Sequence, residues 1–183
     1  MKKILIVSGH PDLANDSFAN KIILEDIAKL VPEATIDDLG ALYPDYEFDV
    51  EAEQAKLVDA DIIVMQFPIF WFSIPALMAK WMEDVFLHGF SHGSTGKALV
   101  GKKLLLSFTT GAPAFAYGEA FPVEAMTKRL SHTAEFTGME YKGYLWTDSV
   151  SYVDRANAEK IVKMTAAAHD HAKRLAEKLK SLA

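Results

Sequence analysis

There is no cysteine among the 183 residues. That absence alone excludes disulfides, thiolate metal sites and a cysteine nucleophile. Positive charge is also in short supply: 19 lysines and arginines stand against 25 aspartates and glutamates, a formal net charge of −6 at pH 7. A chain without a basic patch is a poor partner for nucleic acid. No apolar run is long enough to cross a bilayer, since the longest, Phe67 to Met82, is broken by Pro68, Ser73, Pro75 and Lys80. The opening Met1-Lys2-Lys3 is followed only by Ile4 to Val7 before Gly9-His10-Pro11, too short for the apolar region of a signal peptide. Neither a Walker loop nor Gly-x-Gly-x-x-Gly occurs, which argues against a nucleoside triphosphatase and a standard dinucleotide fingerprint. Repeats, low-complexity tracts and domain-dividing linkers are missing too. The expectation is one cytoplasmic domain over residues 1–183.

What is present alternates. Short apolar runs at Lys3–Val7, Thr35–Leu39, Asp61–Gln66, Lys103–Phe108 and Glu140–Trp146 predict five strands. Helices are predicted over Ser17–Leu30, Glu51–Val58, Pro75–Phe86, Pro122–Thr137 and Arg155–Leu182, the first with Asp16 or Ser17 as its N-cap. Strict β-α alternation implies an α/β fold: a parallel sheet with helices on both faces. Five strands favour the flavodoxin-like order 2-1-3-4-5, whose ligands bind beyond the carboxyl ends of strands one, three and four.

Three loops should therefore form a site: 8–18, 67–74 and 109–118. The first, Ser8 to Asn20 with its entry into a helix, combines small, hydroxyl and amide residues with a helix N-terminus, which suits a phosphate. A plain cap at Asp16 or Ser17, with His10 as a turn residue, is the alternative. The second packs four aromatic residues into the six positions from Phe67 to Phe72 and is closed by Pro75. It is either a wall for a flat ligand or a core plug and dimer contact. The third, Thr109 to Gly118, offers hydroxyls, a glycine and Tyr117. A phosphate cradle, an aromatic slot and a polar shelf match the three parts of flavin mononucleotide.

In these segments the chain resembles the NAD(P)H:quinone oxidoreductase family, the DT-diaphorase-like flavoproteins. It is most similar to a small bacterial branch that includes ancillary subunits of glutathione-gated potassium efflux systems. The resemblance rests on His10-Pro11 with Ser17-Phe18-Ala19-Asn20, on Leu42-Tyr43-Pro44-Asp45, and on Phe67-Pro68-Ile69-Phe70-Trp71-Phe72-Ser73-Ile74-Pro75. Lys80-Trp81, Asp84-Val85-Phe86, Gly96-Lys97-Ala98-Leu99 and Thr109-Thr110-Gly111 extend it. It implies that His10, Ser17, Phe18, Ala19 and Asn20 hold the ribityl phosphate, and that Pro68, Ile69, Phe70, Trp71 and Phe72 lie along the flavin ring. Thr109, Thr110 and Gly111 would face the ring's N1–O2 edge, and Tyr117 would reach its substrate side as the catalytic residue.

The implied activity is ping-pong transfer of two electrons from NAD(P)H through FMN (FAD being the alternative) to a quinone-like aromatic acceptor, in a homodimer. The rival is a regulatory flavoprotein subunit seated on a membrane transporter. Three positions depart from the family pattern: Phe70 where a Gln is frequent, Ala112-Pro113 where Gly-Gly or Gly-Ser is frequent, and Val123 in the place of a His that partners the tyrosine. Outside the loops, His88 and His92 are four apart but flanked by Gly89 and Gly93, so no metal site is expected. His169 and His171 are expected to be solvated, and Glu83 and Asp84 to be surface or dimer charges.

Overall fold

The computed structural model describes residues 2–119 and 121–183. Strands β1 (Ile4–Ser8), β2 (Thr35–Asp38), β3 (Ile62–Pro68), β4 (Lys103–Thr109) and β5 (Glu140–Thr147) form one parallel sheet in the order β2-β1-β3-β4-β5. Period-two alternation splits the apolar strand residues between two layers. Ile4, Ile6, Ile62, Val64 and Leu105 pack under α1 (Ala19–Leu30) and α6 (Ala158–Leu182). Leu5, Val7, Ile63, Met65, Leu104 and Leu106 face the opposite layer, made by α3 (Val50–Asp59), α4 (Ala76–Val85) and α5 (Val123–Thr137).

Four details differ from the sequence reading. Helix α1 begins two residues later than expected, at Ala19, with Phe18 at the N-cap position; Asp16 takes no part, and Ser17 caps the Lys21 N–H from one residue further back. Strand β2 ends at Asp38, where the chain turns into a one-turn helix, α2 (Leu39–Leu42). There Gly40 lies so close to the loop after β1 that a Cβ would sit 2.6 Å from the His10 carbonyl oxygen. Helix α6 starts at Ala158 because the Asn157 side chain accepts the Lys160 N–H at 3.1 Å, leaving Arg155 in a preceding 3₁₀ turn, Tyr152–Ala156. His171 is not solvated: it lies fully buried between α6 and the sheet.

Beyond β2 sits a buried polar cluster. Glu53 accepts hydrogen bonds from Tyr43 Oη and Trp81 Nε1, both at 2.8 Å, and pairs with Lys56 Nζ at 2.5 Å. Burial pushes the Glu53 carboxyl up, but the hydrogen bonds from Asp37, Lys56, Trp81 and Tyr43 outweigh it and hold it low. Asp37 takes the other share, pushed up to about 7 by burial and by the neighbouring Glu53. Between the unfolded value of 3.8 and about 7, the folded chain keeps a proton that the unfolded chain has released. Stability therefore falls as pH rises through that window. Asp37→Asn is expected to flatten the decline, so that between about pH 5 and pH 8 the parent loses on the order of 5 °C of melting temperature more than the variant. Parallel melting curves would show that Asp37 is ionised throughout.

Candidate functional site

The carboxyl ends of β1, β3 and β4 open on one cleft. Gly9 N–H donates to the Gln66 carbonyl at 2.9 Å and ties the first loop to β3. His10, 4% exposed, accepts the Asp12 N–H on Nδ1 at 3.1 Å, which leaves Nε2–H as the ring's donor. Burial holds its pKa below the usual histidine value, with Asp16 opposing that shift and Arg155 adding to it. Ser17, Phe18, Ala19 and Asn20 line the cleft beside it. Ser17 Oγ accepts the Lys21 N–H at 3.1 Å and so caps one N–H of the first turn of α1, while no side chain caps those of Ala19 and Asn20 where they meet the cleft.

The cation here comes from a fourth loop that the sequence reading left out. Between β5 and α6, Val150, Tyr152 and Arg155 form the far wall of the cleft. The Arg155 guanidinium lies 4.5 Å above the Tyr152 ring centroid, and its Nη1 reaches Asp16 Oδ1 at 3.2 Å. A guanidinium next to uncapped N–H groups is a built anion site.

Pro68, Ile69 and Phe70 continue the wall from β3. The chain then reverses in two residues: Phe70 and Ser73 exchange both backbone hydrogen bonds at 3.0 Å, with Trp71 at φ 48° and Phe72 at φ 63° between them. Positive φ at both central positions is the geometry in which Asn-Gly is the usual pair. Each bulky residue held there costs about 1–2 kcal/mol. Arg129 Nη2 clamps the turn by donating to Ser73 Oγ at 2.8 Å. The turn carries Trp71 94% exposed, with Phe70 and Phe72 roughly half exposed. Neither Trp71 nor Phe72 belongs to the cleft proper; Phe72, Tyr117 and Phe121 form an apolar hollow on the other side of the turn.

From the third loop, Thr109 and Gly111 line the cleft, and Thr109 Oγ1 accepts from Asn20 Nδ2 at 3.0 Å. Thr110 does not. Its hydroxyl donates to the Ala112 carbonyl at 3.1 Å and accepts from Trp146 Nε1 at 2.9 Å, so it shapes the loop instead. The Tyr117 ring stands edge-on to Trp146 with centroids 5.6 Å apart.

A family model described as the flavodoxin-like fold matches residues 2–172. The chain belongs to the flavodoxin-like family. Among characterised relatives, the glutathione-regulated potassium-efflux system ancillary protein KefG of Cronobacter sakazakii is 43% identical over 115 residues, 63% of this chain and 61% of its own length. Among solved structures, general stress protein 14 of Treponema denticola in complex with FMN has a TM-score of 0.83 at 28% identity, covering 97% of this chain and 99% of that one. An NADPH-quinone reductase from P. pentosaceus has a TM-score of 0.73 at 27% identity, with 94% and 98% covered. These matches agree with the resemblance to the NAD(P)H:quinone oxidoreductase family.

The remaining candidates of this flavodoxin-like chain lie away from the cleft. Helix α4 has ended at Val85, so His88 and His92 stand on a loop with rings 5.5 Å apart. Among the described residues no group of three His, Asp or Glu could hold a metal ion. Asp84 pairs with Lys80 on the surface at 2.5 Å. Tyr43 is hydrogen-bonded to Glu53. No helix of the described chain is long and apolar enough to cross a membrane.

Proposed function

We propose that this protein is an FMN-dependent NAD(P)H:quinone oxidoreductase. The observation that carries the reading is the adjacency of an arginine-walled, uncapped helix terminus and a strained, exposed aromatic turn. The cleft of about 230 Å³ is smaller than sites that enclose a whole drug-sized ligand. It suits a phosphate with its polyol chain, and the Phe70–Phe72 turn supplies the wall for a flat ring. The donor set fits: Arg155 and the α1 N–H groups for a dianion, Nε2–H of His10 and the hydroxyl of Thr109 for ring or ribityl oxygens. The FMN in the general stress protein 14 structure supports that choice, with FAD as the alternative.

Bound flavin supplies the redox chemistry, taking a hydride from NAD(P)H and returning two electrons to the acceptor. The chain's own residues bind and orient. Phe70, Trp71 and Phe72 exclude water from one ring face, and the hollow of Phe72, Tyr117 and Phe121 offers an aromatic acceptor a place beside it. Turning a quinone into its hydroquinone takes two electrons and two protons: the hydride brings one proton, and the Tyr117 hydroxyl hands over the second or passes it from solvent. Exposed apolar side chains outside the turn, Phe115 among them, are ones that a second copy of the chain would cover in a homodimer.

The test is the visible spectrum of the protein with added FMN, before and after anaerobic NADPH and then a quinone. Bands that bleach and return support the oxidoreductase. Tyr117→Phe is expected to slow reoxidation by quinone by at least ~10-fold while leaving reduction by NADPH within about twofold; equal slowing of both would remove Tyr117 from proton supply. A second reading is favoured by the likeness to KefG: a regulatory flavoprotein on a potassium-efflux transporter. Bound flavin that NADPH fails to reduce, with co-purification of a transporter, would select it.

A further inference from the structure

The one buried histidine that the proposed chemistry leaves unused is His171. Its ring lies between two hydroxyls, with Ser107 Oγ 2.6 Å from Nε2 and Thr147 Oγ1 2.8 Å from Nδ1. From Ser107 the contacts continue to Gln66 Oε1, from Gln66 Nε2 to Asn20 Oδ1 at 2.7 Å, and from Asn20 Nδ2 to Thr109 Oγ1 at 3.0 Å. Ser107, Gln66, Asn20 and Thr109 are all at most 4% exposed. The chain of contacts therefore runs between the sheet and the α1/α6 layer, from His171 to the wall of the cleft, without meeting water.

Its direction is set at Ser107. The Ser107 hydroxyl donates to Gln66 Oε1, which spends its one proton, so Nε2 of His171 must carry the hydrogen that reaches Ser107 Oγ. Thr147 Oγ1 accepts from Arg174 Nη2 at 3.0 Å and keeps its own proton for Nδ1. Burial, reinforced by the Arg174 charge, keeps the ring neutral, with a pKa lowered to about 3. Nε2–H donates to Ser107, Ser107 donates to the carbonyl of Gln66, and the amides of Gln66 and Asn20 must follow in the same sense. Thr109 thus receives a hydrogen bond from Asn20 and retains its own proton for the cleft. In the opposite tautomer every link reverses, Thr109 donates to Asn20, and the cleft is offered a lone pair instead.

We propose that His171 is a positioning residue for the cofactor cleft: through Ser107, Gln66 and Asn20 it fixes the Thr109 hydroxyl as a donor to an acceptor atom of the bound flavin. This rests on the flavin reading above. It assigns a role to a side chain of α6, in the layer that α6 shares with α1, and it involves no proton transfer along the chain, only its polarity.

Two measurements test it. In flavin-free, ¹⁵N-labelled protein, long-range proton–nitrogen correlation is expected to show His171 neutral with the proton on Nε2; a proton on Nδ1 overturns the inference without reference to flavin. FMN affinity is then compared for the parent, Ser107→Ala, Thr109→Val and the double variant. Each single change is expected to weaken binding about tenfold, the size of one hydrogen bond, and the double variant to bind no worse than Thr109→Val. His171→Gln, whose amide can replace Nε2–H, is expected to stay within about twofold of the parent, while His171→Asn, too short to reach Ser107, joins the weak group. Losses that multiply in the double variant, or a Ser107→Ala protein that melts earlier but binds FMN as the parent does, would make the network structural only. If the parent itself binds no FMN, the flavin reading fails and this role of Thr109 fails with it. Intact parental binding with unaffected variants sinks the inference alone.

Discussion

Replacing Trp71 and Phe72 by Asn and Gly is expected to make the protein more stable and to strip it of flavin. Both residues hold positive φ in a two-residue turn closed by Phe70 and Ser73. Asn tolerates positive φ through local side-chain hydrogen bonds and Gly has no Cβ to clash, whereas two bulky residues there cost about 2–4 kcal/mol together. Glycine gives back roughly 0.5–1 kcal/mol in chain entropy. Trp71 is almost fully exposed, so little packing is lost with it, but Phe72 gives up its edge-on contact with Phe121, about 0.5–1.5 kcal/mol. A net gain of about 1–2 kcal/mol corresponds to a melting temperature higher by roughly 2–8 °C in a domain of this size. Strain kept at an exposed aromatic turn has a functional reason if the same change weakens FMN binding, here by about tenfold or more, since stacking on aromatic rings contributes about 0.5–1.5 kcal/mol per pair beyond burial. Thermal melts and an FMN titration on the double variant decide it. A variant that melts lower, or binds FMN as the parent does, would show that the turn is there for some other reason.

The turn also marks the boundary of what the sequence could reveal. The parallel sheet followed from alternation and its order from the count of five strands, because β1, β3 and β4 are buried on both faces and read as unbroken apolar runs. The loops at their carboxyl ends followed from the sheet order. Within those loops, His10, Ser17 to Asn20, Pro68 to Phe70, Thr109 and Gly111 do converge. Thr110 does not, and nothing in Thr-Thr-Gly distinguishes a hydroxyl that faces a cleft from one spent on Ala112 and Trp146. Arg155 was read as the first turn of a helix. The signal against that is Asn157, a cap as good as Asp154 and three residues later, which shortens α6 and leaves Arg155 in the 3₁₀ turn beside the cleft. His171 was read as solvated because a polar residue on a Lys- and Glu-rich helix usually is. Its neighbours Ala168, Ala172 and Leu175 lie on the buried stripe, and a closer look at the 3.6-residue period would have placed it there. Its hydroxyl partners come from strands β4 and β5, 64 and 24 residues away, and long-range pairing of that kind leaves no local pattern.

Arg155 carries the second large effect. Its guanidinium is held by Asp16 at 3.2 Å and rests on Tyr152. A phosphate entering the cleft competes with the Asp16 carboxylate for the same cation. Arg155→Ala is therefore expected to weaken FMN binding about 10- to 100-fold, from the loss of one or two charge-assisted hydrogen bonds at about 1.5–3 kcal/mol. Asp16→Asn removes the competitor and a nearby negative charge, and is expected to tighten FMN about threefold. Riboflavin, which has the ring and polyol but no phosphate, is the control: both variants are expected to bind it within about twofold of the parent. Salt provides an independent check, since the attraction between phosphate and guanidinium is screened over a Debye length of about 8–10 Å, so raising ionic strength should weaken FMN binding in the parent and much less in Arg155→Ala. If Arg155→Ala loses FMN and riboflavin equally, the arginine only props the Tyr152 turn, and the phosphate must be held by the α1 terminus and Ser17 alone.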